Sequence, residues 1–236
     1  MKSTSVQHFL LLVLTDDGSQ TILNTDLGST YHSRHGALTE SQHVYIHKGL
    51  QKQIGKGVTN ITLLEMGFGT GLNALLTEMA AMDQNIQINY HALELFPVPE
   101  PVWKEYELPS GLSESRALFN TLHAAHWNRE VAISPNFSIT KHHISLLEFK
   151  PSVRFDLVYY DAFEPETQPE LWTQDVFEKL LSWMAPNGVL VTYCCKGYVR
   201  RNMLGAGFEV EKVAGPPGKR EMIVAKKPKG CKEGAF

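Results

Sequence analysis

Residues 61–82, ITLLEMGFGTGLNALLTEMAAM, decide the fold. They begin with a short apolar run that ends at Glu65, which is typical of a buried strand that stops at the edge of a sheet. Gly67, Gly69 and Gly71 follow at alternate positions, and apolar residues then recur at helical spacing. The stretch therefore predicts a strand, a glycine turn and a helix, a unit that brings backbone N–H groups close to a polar ligand.

The glycine spacing distinguishes two classes of ligand. A dinucleotide fingerprint reads G-x-G-x-x-G, but here the third glycine comes one residue early and Leu72 stands at the required position. An acidic residue followed by G-x-G-x-G resembles motif I of class I S-adenosylmethionine (SAM) methyltransferases. SAM carries an ammonium and a sulfonium group and no phosphate, so a carboxylate at Glu65 attracts it and would repel a pyrophosphate. A tight turn without any ligand is the alternative.

Length and composition favour one α/β domain, or one domain with a small appendage. A chain of 236 residues is long enough to bury a full core. The apolar run FLLLVL, residues 9–14, is too short to cross a bilayer and lacks the flanks of a signal peptide. We therefore expect a cytoplasmic protein without membrane association. The three cysteines, two of them adjacent, provide neither a disulfide framework nor a CxxC metal pair.

Charge is distributed unevenly along the chain. The net charge is −3, but residues 196–236 carry ten Lys and Arg against four acids and are therefore +6. A basic C-terminal end on an acidic body suggests a localised surface for a polyanion. A solvated lysine tail is the alternative.

Acidic residues follow two further predicted strands. Residues 86–95, IQINYHALEL, lead to Glu94, where a doubly wound fold can hold both hydroxyls of a ribose. The fourth strand, FDLVYY, delivers Asp161 to the crevice beside the first strand. Many SAM enzymes place an acid after the third strand to hold the adenine amino group. Here Ser145 is the best equivalent, and we expect its neutral hydroxyl to bind more weakly.

Further elements are predicted on either side of this core. They are a hairpin over residues 9–23, a helix over 39–54, a helix over 110–127, a helix capped by Thr173, a Pro186-Asn187-Gly188 turn before the fifth strand, and a closing hairpin of 208–213 and 221–225. We expect an N-terminal hairpin and helical extension over residues 1–58, a core domain over 59–227 and a flexible tail over 228–236.

Four histidines within residues 30–50 invite a zinc interpretation: His32, His35, His43 and His47. No cysteine and no HExxH arrangement accompanies them. We therefore expect surface or hydrogen-bonding histidines and no metal.

Six blocks of sequence together resemble the tRNA 5-methylaminomethyl-2-thiouridine methyltransferase family. The blocks, within roughly residues 15–227, are TYHSRHGALTES, EMGFGTGLNALL, ALELFPVP, YYDAFEPETQPELWT, VTYCCKGYVRRNMLGAGFEV and GPPGKREM. The resemblance implies an α/β, class I SAM-dependent methyltransferase fold: a Rossmann-like, doubly wound, mostly parallel sheet with a C-terminal antiparallel hairpin and a short N-terminal β-hairpin extension. The sequence departs from the family at the third-strand acid.

The resemblance also implies an activity and a partner. The reaction would move a methyl group from SAM to the 5-aminomethyl group of the wobble (2-thio)uridine in the anticodon stem-loop of tRNA. In some members this domain is fused to a flavin-dependent oxidase. No second glycine-rich fingerprint is present here, so we expect the stand-alone form, without flavin, metal or an obligatory protein partner.

Motif and resemblance together assign roles to particular residues. We expect Asp161 to orient the acceptor amine and to accept or relay its proton. The residues expected to contact SAM are Glu65, Gly67, Phe68, Gly69, Thr70, Gly71, Asn73, Glu94, Leu95, Ser145 and Asp161. Those expected to line the uridine pocket are Tyr31, Ser33 and Phe163. Those expected to contact tRNA phosphates are Lys196, Arg200, Arg201, Lys219 and Arg220.

Two other functions stay open at this point. A class I enzyme could act on a small-molecule amine, as a methyltransferase or an aminopropyltransferase, although the +6 segment argues against it. A SAM-binding protein without activity is the other alternative, suggested by the absent third-strand acid. Methyl transfer to tRNA distinguishes the three.

Overall fold

Two sheets organise the chain, which the computed structural model describes from residue 9 to residue 230. The first sheet contains β1 (Leu10–Leu14), β2 (Gln20–Asn24) and β3 (Ser29–Thr30). The second contains β4 (Asn60–Met66), β5 (Gln87–Leu93), β6 (Glu130–Ser134), β7 (Phe137–His142), β8 (Phe155–Tyr160), β9 (Met184–Thr192), β10 (Glu209–Ala214) and β11 (Glu221–Lys226).

The larger sheet is parallel at its centre and antiparallel at its edges. The strand order is β10-β11-β9-β8-β4-β5-β7-β6. The five strands from β9 to β7 pair in parallel, whereas β6, β11 and β10 each pair antiparallel with their neighbours. Because the strand order reverses between β4 and β8, the carboxyl ends of these two strands open a crevice of the kind that binds ligands in doubly wound folds.

Helices connect the strands. They are α1 (Ala37–Ser41), a π-helix (Gln42–Leu50), α2 (Gln51–Ile54), α3 (Leu72–Gln84), α4 (Glu100–Glu105), a 3₁₀ helix (Ser110–Ser115), α5 (Arg116–Ala124), a second 3₁₀ helix (Pro169–Trp172), α6 (Gln174–Trp183) and α7 (Gly197–Gly205). None of the helices between residues 9 and 230 is long and apolar enough to cross a membrane.

Both faces of the larger sheet are buried. Side chains alternate along β8, so Leu157 and Tyr159 join one hydrophobic cluster whereas Val158 and Tyr160 join another. The first cluster includes buried residues of the π-helix, α3 and α5, and the second includes buried residues of α6 and α7. Helices on both faces are the arrangement that a parallel sheet requires.

The α/β doubly wound fold with an N-terminal hairpin and a C-terminal antiparallel hairpin is therefore confirmed. The helix predicted over residues 39–54 is present as α1, the π-helix and α2. The predicted cap at Thr173 is also present, since its hydroxyl accepts a hydrogen bond of 3.4 Å from the N–H of Val176.

Several details of the fold differ from the sequence-based expectation. Strand β6 and helices α4 and α7 were not predicted from the sequence. Each buries few residues: β6 has none, α4 has only Trp103, and α7 has only Val199 and Met203. The predicted 110–127 helix begins as a 3₁₀ helix and ends at Ala124. The Pro186-Asn187-Gly188 turn lies within β9 as an irregularity, where Asn187 adopts φ 63°. Residues 231–236 of the predicted tail lie outside the described residues.

The π-helix packs directly on the sheet through Gly49. A Cβ at this position would lie 3.1 Å from Cε1 of Tyr159 and 3.1 Å from Cγ2 of Val191. Beside it, the rings of Tyr45 and Tyr159 have centroids 5.1 Å apart. The N-terminal helices therefore belong to the same packed core as the central strands.

This contact predicts that Gly49→Val destabilises the protein by about 1–3 kcal/mol, because the added methyl groups overpack the interface with β8 and β9. The measurement is the urea midpoint of unfolding. Gly111→Val is the matched control, since no atom lies within 4 Å of a Cβ there. Equal midpoints for the two variants would contradict the packing described.

Candidate active site

A cavity of about 250 Å³ lies at the carboxyl ends of β4, β5 and β8. Its wall contains many of the residues that the sequence assigned to the cofactor: Gly67, Phe68, Gly69, Thr70, Asn73, Glu94, Leu95 and Asp161. The N-terminal sheet and the segment after it supply another part of the wall, through Asn24, Leu27, Tyr31 and His32. Of these four, only Tyr31 was assigned to the site from sequence.

The glycine turn after β4 is closely packed on two sides. Gly67 and Gly69 have φ of 89° and 48°, which favour glycine. A Cβ on Gly67 would lie 3.0 Å from the carbonyl oxygen of Asp161, and one on Gly69 would lie 2.9 Å from Cδ1 of Tyr31. Only a chain without side chains at these positions can pass between the end of β8 and the N-terminal segment.

Glu94 is held by backbone amides at the end of β5. Its Oε2 accepts a hydrogen bond of 3.1 Å from the N–H of Gly69, and its Oε1 accepts one of 2.8 Å from the N–H of Phe96. Burial raises the pKa of Glu94, and these amide bonds oppose the rise. The carboxylate thus has a fixed orientation and retains lone pairs for hydroxyl donors inside the cavity.

Asp161 is the first residue after β8. Its Oδ2 accepts a hydrogen bond of 2.9 Å from the side-chain amide of Asn73, and its N–H donates to the carbonyl of Met66 at 3.1 Å. Burial, reinforced by the negative charge of Glu40, raises the pKa of Asp161 to about 7. A carboxyl group that titrates near neutrality can exchange a proton with a bound group at neutral pH.

Glu65 lies outside the cavity wall. It is fully buried in β4, and no well-formed hydrogen bond joins either of its carboxylate oxygens to another group among residues 9–230. Burial raises its pKa well above the ordinary value, although Tyr90 and Asn73 lie close enough to oppose the rise. Burial therefore favours the neutral acid, which attracts a cationic ligand less than the carboxylate expected from the sequence. Its contact with a cofactor stays a prediction.

Two other predicted cofactor contacts also lie outside the wall. Gly71 forms the N-terminal cap position of α3. Ser145 lies in the loop after β7, where its hydroxyl accepts a hydrogen bond of 3.2 Å from the N–H of Leu147. The role of Ser145 in holding an adenine stays a prediction.

A second pocket, of about 340 Å³, adjoins the cavity. The two share Tyr31, His32, Ala162 and Phe163 in their walls. The rings of Tyr31 and Phe163 meet edge to face, with centroids 5.0 Å apart. Tyr31, Ser33 and Phe163, the three residues predicted to contact the uridine, all line this second pocket.

A partly buried ion pair lines the second pocket. Nζ of Lys219 lies 2.6 Å from Oε1 of Glu40, and Oε2 of Glu40 accepts a hydrogen bond of 2.8 Å from the N–H of Ser33. Sequence reasoning missed Glu40, and it assigned Lys219 to RNA phosphates. No local pattern could join these two residues, which are 179 positions apart.

Three of the four histidines of residues 30–50, namely His32, His35 and His43, make side-chain hydrogen bonds. Nε2 of His32 lies 2.7 Å from the hydroxyl of Thr70 and so joins the N-terminal segment to the glycine turn. His43 donates to the carbonyl of Ala214 at 2.9 Å, and Nδ1 of His35 lies 3.0 Å from Asp16. Within the described part of the chain, no group of three or more His, Cys, Asp or Glu is arranged to hold a metal.

The other predicted phosphate contacts lie towards the C-terminal end. Lys196 pairs with Glu166 just before α7, and α7 carries a half-buried Arg200 and an exposed Arg201. Arg220 is exposed in the loop between β10 and β11. Their contact with RNA stays a prediction.

The raised pKa of Asp161 predicts a pH-dependent gain in stability from Asp161→Asn. Folding favours the protonated acid, so this contribution is complete below about pH 4 and is lost as the pH rises through about 7. The asparagine stays neutral throughout. The melting temperature of the variant, relative to the parent, should therefore be higher at pH 8.5 than at pH 5.5.

The matched control is Asp83→Asn, which changes an exposed aspartate at the end of α3. Its melting-temperature difference from the parent should be similar at both pH values. A difference for Asp161→Asn that is likewise independent of pH would contradict the pKa described.

Comparison with known proteins adds three findings. A family model described as S-adenosyl-L-methionine-dependent methyltransferase matches residues 137–228. The chain is 28% identical over 253 residues to the tRNA 5-methylaminomethyl-2-thiouridine biosynthesis bifunctional protein MnmC of Aeromonas hydrophila, covering 96% of this chain and 36% of that protein. It is 30% identical over 210 residues to the protein of the same name from Chromobacterium violaceum, covering 83% and 31%.

The third finding is structural. The fold is similar to the crystal structure of MNMC2 from Aquifex aeolicus, with a TM-score of 0.79 and 24% identity, covering 94% of this chain and 71% of that one. The chain spans about a third of the length of the curated relatives it matches.

Proposed function

We propose that this chain, which belongs to the S-adenosyl-L-methionine-dependent methyltransferases, methylates the 5-aminomethyl group of the wobble (2-thio)uridine in tRNA. The observation that carries the proposal is the position of Asp161. It lines the cavity, and the two residues after it, Ala162 and Phe163, line both the cavity and the second pocket. A group bound in the second pocket can therefore approach a ligand in the cavity beside a carboxylate that is able to take a proton.

The residues of the cavity fit SAM. The glycine turn from Gly67 to Thr70 lines the cavity with its backbone, and Glu94 presents fixed acceptors for two ribose hydroxyls. Asn73 and the turn from Gly67 to Thr70 would hold the remainder of the molecule. When bound, SAM supplies a methyl group on a positively charged sulfur.

The protein's own contribution to the reaction is proton removal and positioning. A free alkylamine has a pKa near that of lysine, about 10.4, so at neutral pH it is protonated and cannot attack. Burial of the bound amine lowers its pKa, and Asp161, with a pKa of about 7, then accepts the proton when it is ionised. Asn73 holds the carboxylate in place through the hydrogen bond to Oδ2. Holding the amine in line with the methyl group supplies much of the remaining rate.

The acceptor is inferred from the relatives and from charge. The relatives, of which this chain matches about a third, carry the name of a tRNA modification enzyme. The +6 segment of residues 196–236 is compatible with a polyanion. We also propose that residues 1–58 act as an extension that completes the site, since the described part of it lines both the cavity and the second pocket.

The proposal predicts methylation of tRNA that depends on Asp161. The purified protein is incubated with SAM and with tRNA from cells that lack this methylation, and the digested nucleosides are analysed by mass spectrometry. A wobble uridine heavier by one methylene is the expected product. Asp161→Asn should lower turnover about 10²-fold or more, because the amine loses its proton acceptor, and should leave the SAM dissociation constant within a few-fold.

Asp156→Asn is the matched control for this experiment. Asp156 is on the same strand, where it accepts a hydrogen bond of 2.9 Å from the N–H of Thr62, and it lines neither the cavity nor the second pocket. Its variant should retain turnover. SAM binding without any methyl gain on tRNA would overturn the proposed function, and full activity of Asp161→Asn would overturn the role of Asp161.

A second prediction concerns the surface that holds the RNA. The double variant Arg201→Gln/Arg220→Gln should weaken tRNA binding and lower the slope of log affinity against log salt by about one per lost phosphate contact. SAM affinity should stay unchanged. Lys52→Gln/Lys56→Gln removes two exposed cations at the end of α2 and serves as the control. If both double variants lower the salt slope equally, the effect is one of overall charge, and a localised RNA-binding surface is contradicted.

A further inference from the structure

The ion pair of Glu40 and Lys219 differs from ordinary surface pairs. Its side chains are 6% and 29% exposed, whereas those of the Lys212–Glu221 pair in the same C-terminal hairpin are 36% and 46% exposed, at the same distance of 2.6 Å. A partly desolvated pair that lines a pocket can discriminate between ligands, because a mismatched polar group of the ligand there stays unpaired.

Several contacts fix Lys219 in this position. Its Nζ lies 4.0 Å from the ring centroid of Tyr193, whose hydroxyl donates to the carbonyl of Ala162 at 2.9 Å. The preceding residue, Gly218, has φ 84° and packs so closely on His35 that a Cβ would lie 2.6 Å from its Cδ2. The ammonium has three protons, one of which points to Glu40. Another is therefore available to a ligand in the pocket.

Glu40 is fixed as firmly as its partner. Each carboxylate oxygen already accepts one hydrogen bond, from Lys219 and from the N–H of Ser33. Each oxygen has a second lone pair. The pair thus presents a hydrogen-bond donor and a hydrogen-bond acceptor side by side on the wall of the pocket.

We propose that Glu40 and Lys219 read the edge of a pyrimidine that has a carbonyl oxygen next to a ring N–H, as uracil has. Lys219 donates to the carbonyl oxygen and Glu40 accepts from the ring N–H. Cytosine presents the opposite arrangement, an amino group next to a ring nitrogen acceptor, and is rejected. The inference deepens the proposed function and rests on it for the identity of the RNA.

The rest of the pocket suits a base that is turned out of a stack. Tyr31 and Phe163 provide aromatic surfaces in the wall, and single-stranded bases bind to such surfaces by stacking. These residues also line the cavity, so a substituent on the bound base can extend towards Asp161. The charge of Glu40 contributes to the raised pKa of Asp161, which places the two carboxylates in one electrostatic environment.

This assignment changes the expected role of Lys219. The sequence placed it with the cations that contact phosphates, which contribute affinity for any RNA sequence. A lysine that contacts a base edge contributes discrimination instead. The two roles give different experimental signatures.

The test measures binding of two labelled anticodon stem-loops that differ only in uridine or cytidine at the wobble position. Fluorescence anisotropy is recorded with S-adenosylhomocysteine present, so that no turnover occurs. The parent protein should bind the uridine stem-loop about tenfold more tightly or better. Lys219→Met should reduce this ratio to about twofold or less, whereas Lys212→Met, the matched control in the same hairpin, should keep it.

A second variant guards against a folding defect. Lys219→Met leaves a buried carboxylate without its cation, which is destabilising. The double variant Glu40→Gln/Lys219→Met replaces the charged pair with a neutral one and retains an acceptor for the N–H of Ser33. It should bind S-adenosylhomocysteine like the parent and should also lose the discrimination between the two stem-loops.

The outcomes separate this inference from the proposed function. Two results would overturn the proposal that Glu40 and Lys219 recognise the edge of the base. One is equal binding of both stem-loops by the parent, and the other is full discrimination by a folded variant without Lys219. If the parent discriminates between the stem-loops but adds no methyl group to tRNA, the proposed function fails and the base-reading assignment stands.

Discussion

The rest of the structure depends on one close approach, the passage of the glycine turn between the end of β8 and the ring of Tyr31. Any side chain at Gly67 or Gly69 would push these neighbours apart. The missing Cβ atoms let three separate parts of the chain meet around one cavity. These parts are the central strand, the fourth strand of the parallel core and the N-terminal segment. His32 then closes the arrangement by its contact with Thr70. A small space with this many walls excludes water from the carboxylates that surround it, which raises their pKa values.

Much of the site could be predicted from the sequence because its signals are local. Three features lie within the 22 consecutive residues 61–82: a strand with an acidic residue at its end, then a glycine turn, then a helix. Each has a characteristic period or residue type. Glu94 and Asp161 were found in the same way, since each follows an apolar strand and carboxyl ends of parallel strands meet at one edge.

The parts that sequence reasoning missed depend on distant contacts. The N-terminal hairpin was predicted, but its place in the cavity wall depends on packing against the glycine turn. Glu65 has the residue type and spacing of a ligand-binding acid, but whether such a side chain points into a cavity or into the core depends on the sheet around it. The pairing of Glu40 with Lys219 joins residues 179 positions apart, and no periodic pattern in the sequence indicates it.

The contacts across the second pocket determine the order in which the two pockets can form while the chain is synthesised. The cavity is lined by residues no later than Gln168. The second pocket, by contrast, needs Lys219, and the hydrogen bond from His43 to Ala214 closes a separation of 171 residues. Loops of this length close at an entropic cost and only after their distal end has been synthesised. The second pocket, which we propose selects the acceptor, is therefore completed last, since Lys219 is synthesised after every residue that lines the cavity.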